Sequence, residues 1–265
     1  MPRYGPSQIH GGDTLKKFVI ASLAFVTFAA PAFAADMPVK AVRAPLDPGY
    51  NWTGLYIGGQ FGGGWAWDQV TNINGDANFP PGFVHNAPHS SGMLGGIYGG
   101  YNYQFNRVVI GIDADYSRAN ITGTGSTVGP TGFTEVENPK LNWVATVTGR
   151  VGYAVNDWLI FGKGGWAWVG EVGSGSDLNP AGTLVATNAT SLTLNGWTVG
   201  AGAEWAFAGN WVAKLEYDYV NIGTTTLSVT TTTVPGGIVG TGRASAVANL
   251  QMAKVGLAYR FNIGR

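Results

Sequence analysis

The sequence predicts an all-β chain: an eight-stranded antiparallel transmembrane β-barrel with short periplasmic turns and four longer extracellular loops. Three observations carry that prediction. Charged residues make up 11% of the 265, where a soluble domain carries about 25%. Yet mean hydropathy is only +0.07, too low for a bundle of membrane helices. After residue 51 no stretch keeps a 3.6-residue apolar period; apolar and polar residues alternate with period two, between segments of turn chemistry rich in glycine.

The chain opens on a leader. Lys16 and Lys17 precede an apolar stretch, Phe18 to Phe33, that ends in Ala32-Phe33-Ala34. A basic start, an apolar run and a small-x-small cleavage site are the parts of a secretory signal peptide, expected over residues 1–34. A membrane anchor wants about 20 apolar residues, and the short run broken by Pro31 argues against one. The segment before Lys16 is long and carries Pro6 and Asp13; a start at Leu15, read as methionine from an alternative codon, would give a compact Met-Lys-Lys. Residues 35–51, with Pro38, Pro45 and Pro48 between charges, read as a periplasmic linker. The barrel is then expected on residues 52–265.

Eight strands are expected near 53–67, 90–105, 108–123, 140–155, 158–174, 190–208, 211–230 and 245–262. The seventh alternates most clearly: Trp211, Ala213, Leu215, Tyr217 and Tyr219 share one face, Lys214, Glu216 and Asp218 the other. In the third, Val108, Ile110, Ile112, Ala114 and Tyr116 oppose Asp113, Asp115 and Ser117. In the fourth, Leu141, Trp143, Ala145, Val147, Val151 and Tyr153 oppose Asn142, Thr146, Thr148 and Arg150. The last sets Ala253, Val255, Leu257, Tyr259 and Phe261 against Lys254, Gly256 and Arg260. Short connections at Phe105-Asn106-Arg107, Val155-Asn156-Asp157 and Ala208-Gly209-Asn210 alternate with long ones around 68–89, 124–139, 175–189 and 231–244. An even strand number with that alternation of connections is the outer-membrane pattern.

A soluble lipocalin-like barrel would put the apolar face inside. Here that face carries nearly all the bulky residues, and Trp166, Trp168, Trp197 and Trp205 could not crowd together into the narrow interior of eight strands. They suit a lipid face. Aromatics also gather near both strand ends: Trp65, Trp67, Trp143, Trp166, Trp168, Trp197 and Tyr219 at the loops, and Tyr101, Tyr103, Phe105, Tyr153, Trp158, Trp205, Trp211, Tyr259 and Phe261 at the turns. Two girdles about 25 Å apart mark the two membrane interfaces. The opposite face, rich in Gly, Asn, Gln and Thr, collects Asp113, Asp115, Glu204, Glu216 and Asp218 against Arg150, Lys163, Lys214, Lys254 and Arg260. Each would cost about 2–4 kcal/mol facing lipid near the midplane, so all ten are expected in the lumen. A paired network filling the barrel is the first reading. An ion path lined by Glu204, Glu216 and Asp218 is the second.

Several function classes fall away. Fifteen Lys and Arg balance fifteen Asp and Glu without a basic run, which argues against nucleic acid. The absence of cysteine removes disulfides, Cys-ligated zinc and thiol nucleophiles. No histidine lies on an expected strand to activate a nucleophile, so no enzyme is expected. Asn72, Asn74 and Asp76 suggest a calcium loop, but Gly75 is misplaced and no Glu follows at the right distance. Asn51-Trp52-Thr53 and Asn188-Ala189-Thr190 match a glycosylation sequon that an exported bacterial chain does not use. No cofactor is expected.

An ordered series of motifs then resembles a family. It comprises Ala35-Asp36-Met37-Pro38-Val39-Lys40, Tyr50-Asn51-Trp52-Thr53-Gly54-Leu55-Tyr56-Ile57-Gly58-Gly59, Gly149-Arg150-Val151-Gly152-Tyr153-Ala154, Lys163-Gly164-Gly165 and Lys214-Leu215-Glu216-Tyr217-Asp218-Tyr219. The series is similar to the alphaproteobacterial outer-membrane immunogenic proteins, eight-stranded barrels of the OmpA-like and opacity-like kind. The resemblance implies an abundant protein of the cell outer membrane, exported through the periplasm. It also implies a role in envelope integrity and loops that meet host or environmental ligands, with lipid and lipopolysaccharide as surroundings. Family members end on the aromatic of the last strand, read by the barrel-assembly machinery; here Val255, Leu257, Tyr259 and Phe261 keep the outward spacing, but Asn262-Ile263-Gly264-Arg265 follow. Two alternatives stay open, a small-solute porin and a haemin-binding surface protein. The second would use His85 and His89, four residues apart in the first long loop, against the plainer reading of a solvated pair.

Overall fold

The computed structural model describes residues 49–75, 78–85, 88–237 and 239–261. The expected signal peptide, most of the linker, Asp76 and the four residues after Phe261 lie outside the described residues. The elements are β1 (Gly54–Asn74), β2 (His89–Phe105), β3 (Val108–Thr122), β4 (Gly125–Val128), β5 (Thr134–Val155), β6 (Trp158–Leu178), β7 (Leu184–Ala208), β8 (Trp211–Thr233) and β9 (Val239–Phe261). Every neighbouring pair is antiparallel, and β9 returns to β1 while β3 pairs with β5. The ring therefore has eight members. The short β4 continues β3 after a break and pairs only with β5. Closure of the ring below β4 leaves no open edge, the condition a sheet must meet to satisfy its backbone in lipid.

Alternation decides which side chains face lipid. Val108, Ile110, Ile112 and Tyr116 of β3 are exposed while Asp113, Asp115 and Ser117 are buried. The same holds for Leu215 and Tyr217 against Lys214, Glu216 and Asp218 on β8, and for Val255, Leu257, Tyr259 and Phe261 against Lys254 and Arg260 on β9. Outward aromatics meet across strands: Trp158 stacks on Trp205 with ring centroids 5.6 Å apart, and Trp211 meets Tyr259 edge-on at 5.4 Å. The tight turns use residues that tolerate a left-handed backbone, Asn106 (φ 55°), Asn156 (φ 53°) and Gly209 (φ 53°). Short turns belong to the periplasmic end.

Four expectations need correction. The strands run 17–25 residues apart from β3 (15) and β4 (4), well beyond the roughly 9–11 a bilayer requires. Most of the expected loops 124–139, 175–189 and 231–244 are thus strand extensions standing above the membrane, where both faces are wet and hydropathy stops alternating. His89, expected in the first loop, is the first residue of β2. Leu141 faces inward, because a register shift between Leu141 and Trp143 inverts the alternation. Finally, the interior is not uniformly polar.

Three interior layers stack along the axis. At the periplasmic end Trp52, Val109, Ala154, Leu159 and Val212 form an apolar cork, with Tyr50 edge-on to Trp52 at 4.9 Å. Charged residues and the rings of Tyr56, Tyr98 and Phe161 fill the middle. Gly100 and Gly256 make room there: a Cβ on Gly256 would sit 2.9 Å from the Tyr98 ring, and one on Gly100 2.8 Å from the Tyr56 ring. Above lies a second apolar layer that includes Leu94, Ile121, Val144, Val169, Leu194, Leu250 and Met252. Trp52 is 0% exposed, so Trp52→Ala should cost about 3–5 kcal/mol, the range for a large core aromatic. Urea unfolding of the micelle-refolded protein checks it, and an unchanged midpoint would show that the cork adds nothing to stability.

Candidate functional site

The lumen site is built from strand positions two residues apart. Asp113 and Asp115 on β3, Lys214, Glu216 and Asp218 on β8, Lys254 and Arg260 on β9, and one charge each on β5, β6 and β7 all project into the barrel. The ten charged side chains named from the sequence are each at most 7% exposed. Two knots result. In the lower one Glu204 accepts from Arg150 at 2.8 Å and faces Arg260 at 3.7 Å, while the Arg260 guanidinium also donates to the Trp52 carbonyl of the cork. In the upper one Lys163 lies 2.9 Å from Glu216, 3.3 Å from Asp218, 3.6 Å from Asp113 and 3.7 Å from Asp115. Lys254 lies 2.6 Å from Asp218, 2.9 Å from Glu216 and 3.4 Å from Asp115. Lys214 reaches Glu216 at 3.1 Å and Gln60 at 3.2 Å, with its ammonium over the Tyr98 ring at 3.6 Å.

Counting formal charges, the lower knot holds two cations and one anion, the upper three cations and four anions. Each therefore carries an opposite unit charge. Tyr56 joins them: its hydroxyl accepts from Arg150 at 3.0 Å and donates to Asp113 at 2.7 Å. The Arg150 guanidinium also lies over the Phe161 ring, 4.0 Å from its centroid. Asp115, Glu216 and Asp218 converge closely enough to hold a metal ion, but Lys163 and Lys254 already place ammonium groups against them. Tyr56, Tyr98, Gln60 and Trp52 were not among the residues expected in the lumen. Their signal was position: Tyr56, Gln60 and Tyr98 fall on the inward phase of their strands.

A second cluster sits at the extracellular mouth, above the upper apolar layer. The segment after β1 folds back along it, with the His85 N–H donating to the Val70 carbonyl and the Asn72 N–H to the Phe83 carbonyl. This buries the His85 ring, 5.4 Å from the rings of both Phe79 and Phe83. His85 Nδ1 lies 3.0 Å from Glu135, and Nε2 lies 3.1 Å from the Asn72 side-chain oxygen. His89 instead packs outward, edge-on to Trp67 at 6.1 Å. The two histidines thus have different partners on different faces. Glu135 and Glu137, two apart on β5, share the inward face with Asp68 of β1 and Glu171 and Asp177 of β6. That i, i+2 carboxylate pair was visible in the sequence but fell in a segment read as loop.

Burial pushes the Asp68 carboxyl up to about 6. Burial, then the charges of Asp68 and Glu137, raises Glu171 to about 7. Burial, then Glu135, raises Glu137 to about 7, against a lowering by His85. For His85, burial disfavours the charged ring, but the hydrogen bond and charge of Glu135, with Glu137 and Asp177, leave its pKa raised.

Comparison with known proteins agrees with this architecture. The family described as outer membrane protein beta-barrel domain matches residues 20–261. The 31 kDa outer-membrane immunogenic protein of Brucella melitensis is 33% identical over 93% of this chain and 100% of its own length. The 22 kDa outer membrane protein of Rhizobium leguminosarum is 31% identical over 68% of this chain and 69% of its own. The 25 kDa outer-membrane immunogenic protein of Brucella abortus is 29% identical over 94% and 99%. Among solved structures, the outer membrane protease OmpT of Escherichia coli superposes with a TM-score of 0.51 at 10% identity, over 78% of this chain and 97% of that one. That likeness concerns the fold alone.

Two predictions follow from the geometry. Lys254→Met removes the ammonium nearest Asp218 and leaves Asp115 and Asp218 to share Lys163, and should destabilise the barrel by about 3–5 kcal/mol, the range for breaking a buried ion pair. Adding Asp218→Asn should recover part of that loss in urea unfolding; a double variant no more stable than the single one would count against pairing as the cause. At the mouth, Asp68 and Glu171 hold protons in the folded state at pH values where free carboxyls have lost them. The folded state binds more protons between about pH 4 and 7, so stability of the mouth falls as pH rises through that window. Hydrogen exchange of amides 68–74 and 134–140 should therefore show weaker protection at pH 8 than at pH 5. Asp68→Asn with Glu171→Gln should flatten the difference, and a pH-independent protection pattern would refute the assignment.

Proposed function

The chain belongs to the outer membrane protein beta-barrel family and sits in the cell outer membrane, and from that premise we propose that it is a side-chain-filled surface barrel, structural in the envelope and interactive through its extracellular extensions. The observation that carries this reading is the sealed lumen. A belt of paired charges lies between two apolar layers, with Trp52 wholly buried beneath. Eight strands leave an interior just wide enough for side chains, and here those side chains are bonded to one another across it. A hydrated path would have to break several charge-assisted bonds at once.

If the lumen is closed, interaction belongs to the outside. Strands such as β7 and β8 rise past the aromatic girdle and present a wall rich in threonine above the bilayer. The name of the Brucella relatives, immunogenic protein, supports exposure of the corresponding region here. Residues 1–34 fit export as a signal peptide, and residues 35–51 fit a periplasmic linker. Outward-facing Val255, Leu257, Tyr259 and Phe261 on β9 fit recognition by the barrel-assembly machinery, because their alternate spacing offers one apolar edge at the seam with β1. Outer-membrane lipid and lipopolysaccharide are the surroundings; host or environmental ligands would meet the extensions. No catalytic role is assigned.

Planar-bilayer recording tests the reading. Protein that shows a compact unboiled band and a slower boiled band on a gel should add no steady conductance above background. A large, steady conductance from the same heat-modifiable preparation would overturn the sealed lumen and favour the porin alternative.

A further inference from the structure

The two acidic clusters of this barrel differ in one respect. In the lumen every carboxylate faces a lysine or arginine; at the mouth, Asp68, Glu135, Glu137 and Glu171 pair with neither among the described residues. Burying carboxylates without cations is costly unless something else neutralises them. Within the mouth, one nitrogen or oxygen from each of His85, Glu135 and Glu137 lies within 4.8 Å of the other two. These three line a cavity of about 380 Å³ open to the extracellular side, together with Asn72, Asn188 and Arg243, an exposed side chain that forms no ion pair with them among the described residues. A separate observation points to the same place. The Asp68 carboxylate is only 9% exposed, has no hydrogen-bond or ion-pair partner among the described residues, and projects into the adjoining cavity lined by Glu135, Glu137 and Glu171.

We propose that this vestibule is a binding site for a divalent first-row transition-metal cation, with His85 Nδ1, Glu135 and Glu137 as ligands and Asp68 behind them. The ligand set selects the class. One imidazole with two carboxylates suits zinc and its neighbours, whereas calcium takes oxygen ligands in larger number. Three protein ligands leave coordination positions for water, and the Asp68 carboxylate can accept a hydrogen bond from such a water. Asn72 and Asn188 already hold the set in place. The Asn72 side-chain oxygen lies 3.1 Å from His85 Nε2, and Asn188 donates to Glu135 at 3.4 Å. The two phenylalanines flank the imidazole. Binding involves no redox change: the cation replaces protons held by His85 and the carboxyl groups, and these leave to solvent.

The site's location makes the metal a clamp. It would strengthen the tie between the segment folded back along β1 and the extension of β5, where His85 already meets Glu135. Occupancy would therefore order the mouth of the barrel, while the membrane-spanning wall below stays as it is.

The test uses the full mature barrel refolded in micelles, titrated with Co2+ for its visible absorption and with Zn2+ against a chromophoric chelator. One equivalent should bind, with Ca2+ in large excess failing to displace it. His85→Ala and Glu137→Gln should each weaken affinity by at least about tenfold, and Asp68→Asn by about tenfold, the scale for groups that orient a ligand shell. His89→Ala should leave it unchanged, because that ring packs outward on Trp67. The heat-modifiable band of every variant controls for folding, and Glu135→Gln stands in should Glu137→Gln fail to refold. Absence of saturable binding would overturn the proposal. So would binding that survives His85→Ala, that depends on His89, or that Ca2+ displaces.

Discussion

The structure rests on one constraint: a charge carried on a membrane-spanning strand must face the lumen, and a charge in a dry lumen must be neutralised. The first half follows from the cost of exposing charge to lipid. The second follows from desolvation, which makes an unpaired buried ion more costly than any single pair is favourable. Ten side chains from six strands meet both conditions at once. Because the lower knot has an excess cation and the upper an excess anion, neither is balanced alone. The Tyr56 hydroxyl spans the gap, accepting from Arg150 and donating to Asp113. Strand register is thereby specified from within: a slip by one residue would turn every one of these charges toward lipid.

The apolar layers above and below have a consequence for those charges. Without Trp52, Leu159 and Val212 beneath and Leu94, Val169 and Leu250 above, water would enter the belt and screen it. Excluding water strengthens each ion pair and raises the cost of losing one partner. On the proposed reading of a filled lumen, the same layers keep solute out of the belt, and the barrel's interactions belong to its ends. Its outer wall, meanwhile, is specified only by apolar character and by the two belts of rings, a looser demand than the one the lumen makes.

How much was legible in the sequence follows from this difference in demand. Where one face meets lipid and the other carries charge, as along Val108–Tyr116 and Trp211–Tyr219, period-two alternation is strong and both the strands and the inward residues could be read. Where both faces are apolar, at Leu94, Val169 or Leu250, the alternation vanishes and the upper interior layer was invisible. Where both faces are wet, above the girdle, the strand extensions at 68–74, 134–139 and 239–244 looked like loops. Leu141 was misread for a further reason: a bulge changes phase without changing composition. The mouth cluster needed the fold itself, since His85, Asp68 and Glu171 come from segments far apart and only Glu135 and Glu137 share a strand.

The contrast between belt and mouth also bears on why the two differ in chemistry. Deep in the barrel the acids were matched residue by residue with lysine and arginine, long side chains that can cross a narrow lumen. At the mouth the acids lie on strand extensions, and Arg243, which lines their cavity, is exposed and forms no ion pair with them among the described residues. A small mobile cation can sit at the convergence point itself. The proton does part of this work already: burial with mutual repulsion holds Glu137 and Glu171 up to about 7, and burial alone holds Asp68 up to about 6. Carboxyls so poised are neutral in acid and anionic in mildly alkaline surroundings, so the mouth's need for a counter-charge grows as its protons leave. In the belt, by contrast, the counter-charges are covalently part of the same wall.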